Sequence, residues 1–272
     1  MNDFGIPAGP ATLRPREVGE ILGDALTLYR RHWTTLLPIV AVVAVPLSVI
    51  DSYARHALRG TTQLVQGPGG QVHLQASAGF AGALAATAVF GVISVLITQI
   101  LTGAIGRAAA GLFVGRDLEL EDAYRFGLAR LWSILLVGIL VALAVTAGFL
   151  LLVIPGFIVL TRLAAAVPSL VVEDARGRSA LSRSWRLVAG RSWPVFGAIL
   201  TAALLGGVVA GLIALPFGTA GWVVSGIASG VGQTITTPFT VLVSVLIYLD
   251  LRVRRENLDA ARLAADLGRS AA

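Results

Sequence analysis

The sequence predicts an all-α polytopic membrane protein: six transmembrane helices arranged as three hairpins, each preceded by a cytoplasmic interfacial amphipathic helix. Three observations predict it. Hydrophobic residues make up 56% of the 272 positions and charged residues 13%, about half the roughly 25% of an ordinary soluble domain. All 21 basic residues are arginine, and all but Arg55, Arg59 and Arg162 lie in four short segments. Between those segments run residues 33–50, 60–106, 131–161 and 192–249, none containing Asp, Glu, Lys or Arg. Third, an Arg stands two residues before each of Trp33, Trp132 and Trp193, with an aliphatic residue twelve before (Ile21, Leu120, Leu181).

Taken in order, residues 16–32 carry Val18, Ile21, Leu22, Ala25 and Tyr29 at helical spacing with charges opposite, the pattern of a helix lying in the membrane interface. No basic segment followed by a short apolar core precedes it, so the first apolar run reads as an uncleaved span rather than a signal peptide. Crossing about 30 Å of hydrocarbon takes about 20 apolar residues. Residues 33–53 meet that length, with Asp51 to Tyr53 at the headgroups. Residues 54–78 form an outer loop rich in Gly and Gln, ill-suited to a rigid site, and 80–105 form the second span.

The second interfacial helix is expected near 119–131, from Leu120, Ala123, Tyr124, Leu128 and Leu131. The apolar run that follows breaks at Pro155-Gly156, giving spans at 132–153 and 156–172. The latter contains Arg162 and Pro168. A central Arg costs about 2.5–3.5 kcal/mol on the insertion scale, while its nine Leu, Ile, Val and Phe residues return roughly 2.7–5.4 kcal/mol. A third interfacial helix at 178–190 carries Leu181, Trp185 and Val188. The last run, 58 residues long, must fold back, and Pro216-Phe217-Gly218 is its turn, giving spans at 193–215 and 222–249. With six spans all four arginine-rich segments share one face, and the positive-inside rule makes that face and both termini cytoplasmic. The location is therefore the cell membrane, with the chain a single integral membrane domain.

Little in this pattern carries chemistry. The chain has no Cys, and His32, His56 and His73 are scattered. It holds no HExxH, GxSxG, GxGxxG or phosphate-binding loop, so no catalytic, cofactor or metal residues are assigned and an enzyme is not expected. Glu119, Glu121, Asp122, Glu173 and Asp174 read as solvated charges at helix starts. The positive balance reads as a match to anionic lipid headgroups rather than to nucleic acid; a membrane-protein partner or a second copy of the chain is the alternative occupant. The candidate contacts at the cytoplasmic interface are Arg31, Arg130, Arg183, Arg186 and Arg191. Arg162, the one charge inside a span, is a candidate lipid or substrate contact whose stem would snorkel to the outer side. Gln233, Thr237 and Pro238 accompany it as polar or helix-breaking positions in the sixth span. The bland reading of that region is a hydrogen-bond seam with Thr98, Gln99 and Thr102 of the second span, and Gly207-xxx-Gly211 and Gly226-xxx-Gly230 would pack the fifth span on the sixth. The alternative function is a permease for a lipid or small amphiphile.

Three stretches carry a family resemblance: PREVGEILGDALTLYRRHW (15–33), VIPGFIVLTRLAAAVPSLVVEDARGRSALSRSWRLVAGRSW (153–193) and TTPFTVLVSVLIYLDLRVRRENLD (236–259). They resemble the membrane domain associated with glycerophosphoryl diester phosphodiesterases, a family with many stand-alone multi-pass bacterial proteins. The resemblance implies a six-span bundle. The phosphodiesterase members add a soluble barrel with His and acidic metal ligands; this chain lacks those residues, so no catalytic residue carries over.

Overall fold

The computed structural model describes residues 13–66, 72–77, 79–114, 125 and 127–271. Helix α1 (Val18–Gly60) merges two helices across a kink at His32 (φ −118°, ψ 19°), one residue before Trp33. It runs past residue 53 into the stretch expected to be loop. A short antiparallel hairpin follows, β1 (Thr62–Gln66) with β2 (Val72–Ala76), in register Leu64 with Leu74. The fold class is all-α as expected, and this hairpin lies in the stretch expected to be loop. Helix α2 (Phe80–Leu112) is 33 residues long and carries Arg107 in its final two turns. Most of the helix expected at 119–131 falls on residues 115–124 and 126, outside the described residues.

Helix α3 (Leu131–Leu151) ends at Leu152, whose backbone is extended (φ −168°, ψ 156°). Helix α4 (Val153–Arg162) begins at once, so the break lies three residues ahead of the expected Pro155. Proline is tolerated in the first helical turn, where its missing N–H would have no intrahelical acceptor. Gly156 serves the hairpin differently: a Cβ there would lie 2.4 Å from the Phe149 ring, and one at Gly148 would lie 3.0 Å from the Gly156 Cα. The two helices therefore cross in near backbone contact.

The expected span at 156–172 is not one helix. Leu163 to Ala165 interrupt it, and α5 (Ala166–Glu173) resumes the path, ending on Asp174 in the left-handed conformation (φ 57°). Helix α6 (Arg178–Val188) and helix α7 (Ser192–Ala214) follow, the latter closed by a 3₁₀ turn at Leu215–Phe217, where the fold-back was expected. Helix α8 (Trp222–Glu256) runs seven residues beyond 249, and α9 (Ala260–Ala271) is an addition. Among the described residues, five segments are long and apolar enough to cross a membrane: Val18–Gly60, Leu131–Leu151, Val153–Glu173, Ser192–Phe217 and Trp222–Glu256. That composition is compatible with a membrane-embedded protein. In α2 the apolar stretch so described is Phe80–Gly91.

The chain divides into two compact units. The first comprises Met1–Leu36, Gln99–Leu205 and Pro238–Ala272, and includes every arginine except Arg55 and Arg59. Its interior holds Tyr248, Leu246 and Leu249 of α8, with Ile134, Val137, Ala166, Leu170 and Ala180 as a cluster joining α3, α5 and α6. The second comprises Leu37–Thr98 and Gly206–Thr237. There α8 packs on α1: a Cβ at Gly226 or Gly230 would lie 2.7 Å from the Cα of Val49 or Val45. This corrects the expected pairing of those glycines with the fifth span, where Gly207 and Gly211 have open space around them. Lipid tails are as apolar as Leu, so such close approach of backbones, rather than escape from water, holds membrane helices together.

Candidate functional site

Two sets stand out among the arginines of the first unit. One set is held by carboxylates and carbonyls, several of them far away in sequence. The Arg183 guanidinium donates to Glu173 at 2.9–3.2 Å and to both oxygens of Glu256. Arg252, 8% exposed, pairs with Glu256 at 3.0 Å, Glu173 at 3.4 Å and Asp266 at 2.8 Å. The buried Tyr248 hydroxyl donates to Glu173 as well. Arg254 donates to both oxygens of Asp250 at 2.9 and 3.0 Å, and to the Arg16 carbonyl at 2.7 Å; the Arg16 N–H also donates to Asp250. Buried Arg16 reaches Asp24 at 2.7 Å, and Arg107 donates to the carbonyls of Val171 and Leu267. These contacts staple α5, α6, α8, α9 and the chain preceding α1 into one assembly. Hydrogen bonds from Arg183 to Glu256 and then Glu173, opposed by partial burial, hold its guanidinium protonated above its ordinary range.

Two expectations change accordingly. Arg183 is not an open interface contact, because two carboxylates occupy it. Glu173 is not a solvated helix-start charge: its side chain is 19% exposed and takes donors from Tyr248, Arg183 and Arg252. Arg130 lies 3.5 Å from Asp174, which Arg176 also engages at 2.6 Å.

The second set has no ion pair among the described residues: Arg30, Arg31, Arg178 and Arg186, all exposed, and partly buried Arg191. Beside them stand the aromatic anchors. Trp33 is 53% exposed, Trp132 81% and Trp193 82%, so each marks a helix start without entering the core. Arg191 also lines a cleft of about 350 Å³ with Arg16, Glu17, Ile21, Val195 and Asp250. In α6 the buried face is Ala180, Ser184, Leu187 and Val188. It is rotated from the expected Leu181–Trp185–Val188 stripe, and leaves Trp185 44% exposed. The reason is Ser184, a polar residue with a structural task. Its hydroxyl donates to the Arg162 carbonyl at 2.7 Å and accepts the Ala165 N–H at 3.1 Å, filling the gap between α4 and α5.

Arg162 is thus the last residue of α4, at the break inside the candidate span Val153–Glu173. Its guanidinium lies 5.3 Å from the centre of the Trp185 ring and donates weakly to the Trp185 carbonyl at 3.4 Å. The expected outward snorkel gives way to stacking on the arginine-rich helix α6. Arg162 has no carboxylate partner among the described residues, and its buried Nε has no acceptor.

Comparison with family models, with curated proteins and with solved structures returns no match to this chain. The resemblance noted above therefore stands on its quoted motifs alone.

Thr234 and Thr236 donate to the carbonyls of Gly230 and Gly232 in their own helix, at 2.8 and 3.0 Å. Gln233 is exposed, Thr237 partly buried and Pro238 buried. Gln99 packs on Gly138, where a Cβ would come within 2.9 Å of its side chain. Among the described residues, no three His, Cys, Asp or Glu side chains gather as a metal site. Arg183 reaches Glu256 across 73 positions and the Arg16 N–H reaches Asp250 across 234, separations that explain why sequence reading missed the network. Only the acid content of 250–266 and the isolated Glu173-Asp174 pair hinted at it.

Proposed function

We propose that the chain is a non-enzymatic, multi-pass protein of the bacterial cell membrane that binds anionic lipid headgroups through the arginines its fold leaves unpaired. In this reading it crosses six times, as three hairpins each led by an interfacial helix, and both termini are cytoplasmic. Membership of the phosphodiesterase-associated membrane family fits that topology. The observation that carries the lipid reading is the division of the arginines. Internal carboxylates satisfy Arg183 and Arg252, whereas Arg30, Arg31, Arg178, Arg186 and Arg191 stay open beside exposed tryptophans. Each arginine near an anionic surface contributes about 1 kcal/mol, so the five together favour anionic lipid by about 5 kcal/mol.

Thermal unfolding in mixed micelles tests this. Phosphatidylglycerol should raise the melting temperature more than phosphatidylcholine does, and the difference should shrink in 0.5 M salt, roughly where screening falls toward a few ångströms. It should also shrink when the five arginines are replaced by Gln. Equal stabilisation by both lipids would defeat the reading. The permease alternative would use Arg162 and the Gln233–Pro238 stretch of α8, where the Thr234 and Thr236 hydroxyls are bonded within their own helix.

A further inference from the structure

We infer that Arg162, Trp185 and the exposed face of α4 form a discrete site for one phospholipid, its phosphate on the Arg162 guanidinium and an acyl chain along Ile158 and Ile154. This rests on the lipid-binding reading above and goes beyond it, because Arg162 is not among the five surface arginines.

Spacing supports the acyl track. Residues 154, 158 and 162 are successive i, i+4 positions, so they share one face of α4 and span about 12 Å along its axis. Ile154 is 74% exposed and Ile158 50%, and nothing polar interrupts the stripe before Arg162. The headgroup end is equally particular. Nearby Arg183 is saturated by two carboxylates, but Arg162 has only the stacked Trp185 ring and one long bond at 3.4 Å, beyond the usual 2.7–3.2 Å range. Its Nε is buried without an acceptor, so the terminal N–H groups, where the bond to Trp185 is exposed, are the ones a ligand would engage. Guanidinium forks take phosphate oxygens in pairs, and the Trp185 ring 5.3 Å away holds the cation in place.

The backbone is held ready too. The Ser184 hydroxyl clamps the Arg162 carbonyl at 2.7 Å, so the side chain departs from a fixed point at the helix break. A free anion would use only the guanidinium. A phospholipid uses both the cation and the apolar stripe that leads to it, and a lipid leaflet presents that pairing of groups at the foot of an exposed apolar helix.

Native mass spectrometry of the full chain in detergent micelles, titrated with dioleoyl phosphatidylglycerol, tests the site. The wild type should hold one lipid more tightly than the rest, and Arg162→Ala should weaken that lipid about tenfold or more, the loss of one charge-assisted hydrogen bond. Inorganic phosphate and glycerol 3-phosphate at matched concentration should not displace it. Should Arg162→Ala fail to fold, Ile158→Asn, an exposed position outside the ion-pair network, carries the test and should also weaken the tight lipid. Unchanged affinity in a folded Arg162→Ala or Ile158→Asn variant would overturn the site, as would displacement by free phosphate. The five-arginine Gln variant separates the two readings. It should lose weakly held lipids and keep the tight one; if it loses none while Arg162→Ala loses the tight lipid, the general reading alone has failed.

Discussion

Replacing Arg252 by Met should release the C-terminal helix. Arg252 and Asp266 form the most enclosed ion pair of the described residues, both side chains 8% exposed and 2.8 Å apart. Removing one partner of such a pair costs about 3–5 kcal/mol, because the other charge is left buried without compensation. Asp266 keeps only Arg269, whose side chain is 79% exposed and contributes little. Glu173 and Glu256 fare better, since Arg183 still engages both. The loss should therefore concentrate on α9, held otherwise by the buried Leu263 and Leu267 and by the bond from Arg107 to the Leu267 carbonyl. At roughly 2–4 °C per kcal/mol for a chain of this class, the melting temperature should fall by about 6 °C or more. Hydrogen exchange should quicken across 257–271 before it does so in α3. Arg252→Met combined with Asp266→Leu should recover much of the loss, because removing both partners leaves no orphaned charge. A shift below about 2 °C with unchanged protection over 257–271, or a double variant as unstable as the single, would refute the reasoning.

Other consequences can be checked the same way. Ser184→Ala leaves the Arg162 carbonyl and the Ala165 N–H without partners in the helix break and should cost about 1–3 kcal/mol, read as a lower melting temperature; Ser182→Ala, on the exposed face of α6, should be neutral. Gly230→Val forces apart backbones that a Cβ would approach to 2.7 Å. It should reduce the yield of monodisperse protein on gel filtration far more than Gly207→Val, which faces open space.

The helical plan was readable because uncharged runs and turn residues are local signals. Trp33 predicted the kink at His32, and Pro216-Phe217-Gly218 predicted the fold-back. Where a local signal had two physical outcomes, reading failed. Pro155 looked like a breaker but sits in a first helical turn, and Leu152 takes the extended conformation with no residue type to announce it. In α6, hydropathy favoured Trp185 for the buried face, yet Ser184 is turned inward because the gap between α4 and α5 needs a hydroxyl. Helix α9 went unread although Leu263 and Leu267 stand at one-turn spacing, because its charges masked a face that binds Arg252. The sorting of arginines into paired and open sets lay beyond sequence, since Arg183 finds Glu256 only after the chain has folded across 73 positions.

The account rests on the arginine-rich segments sharing one side of the membrane, and the absence of cysteine makes that directly measurable. Ser77→Cys and Ser179→Cys place single thiols at exposed positions, one beyond the first hairpin strand pair and one at the start of α6. In intact cells a membrane-impermeant maleimide should label Ser77→Cys, and should label Ser179→Cys only after permeabilisation. Labelling of Ser179→Cys from outside would mean that the segment ending at Glu173 does not cross, and the shared arginine face would be contradicted.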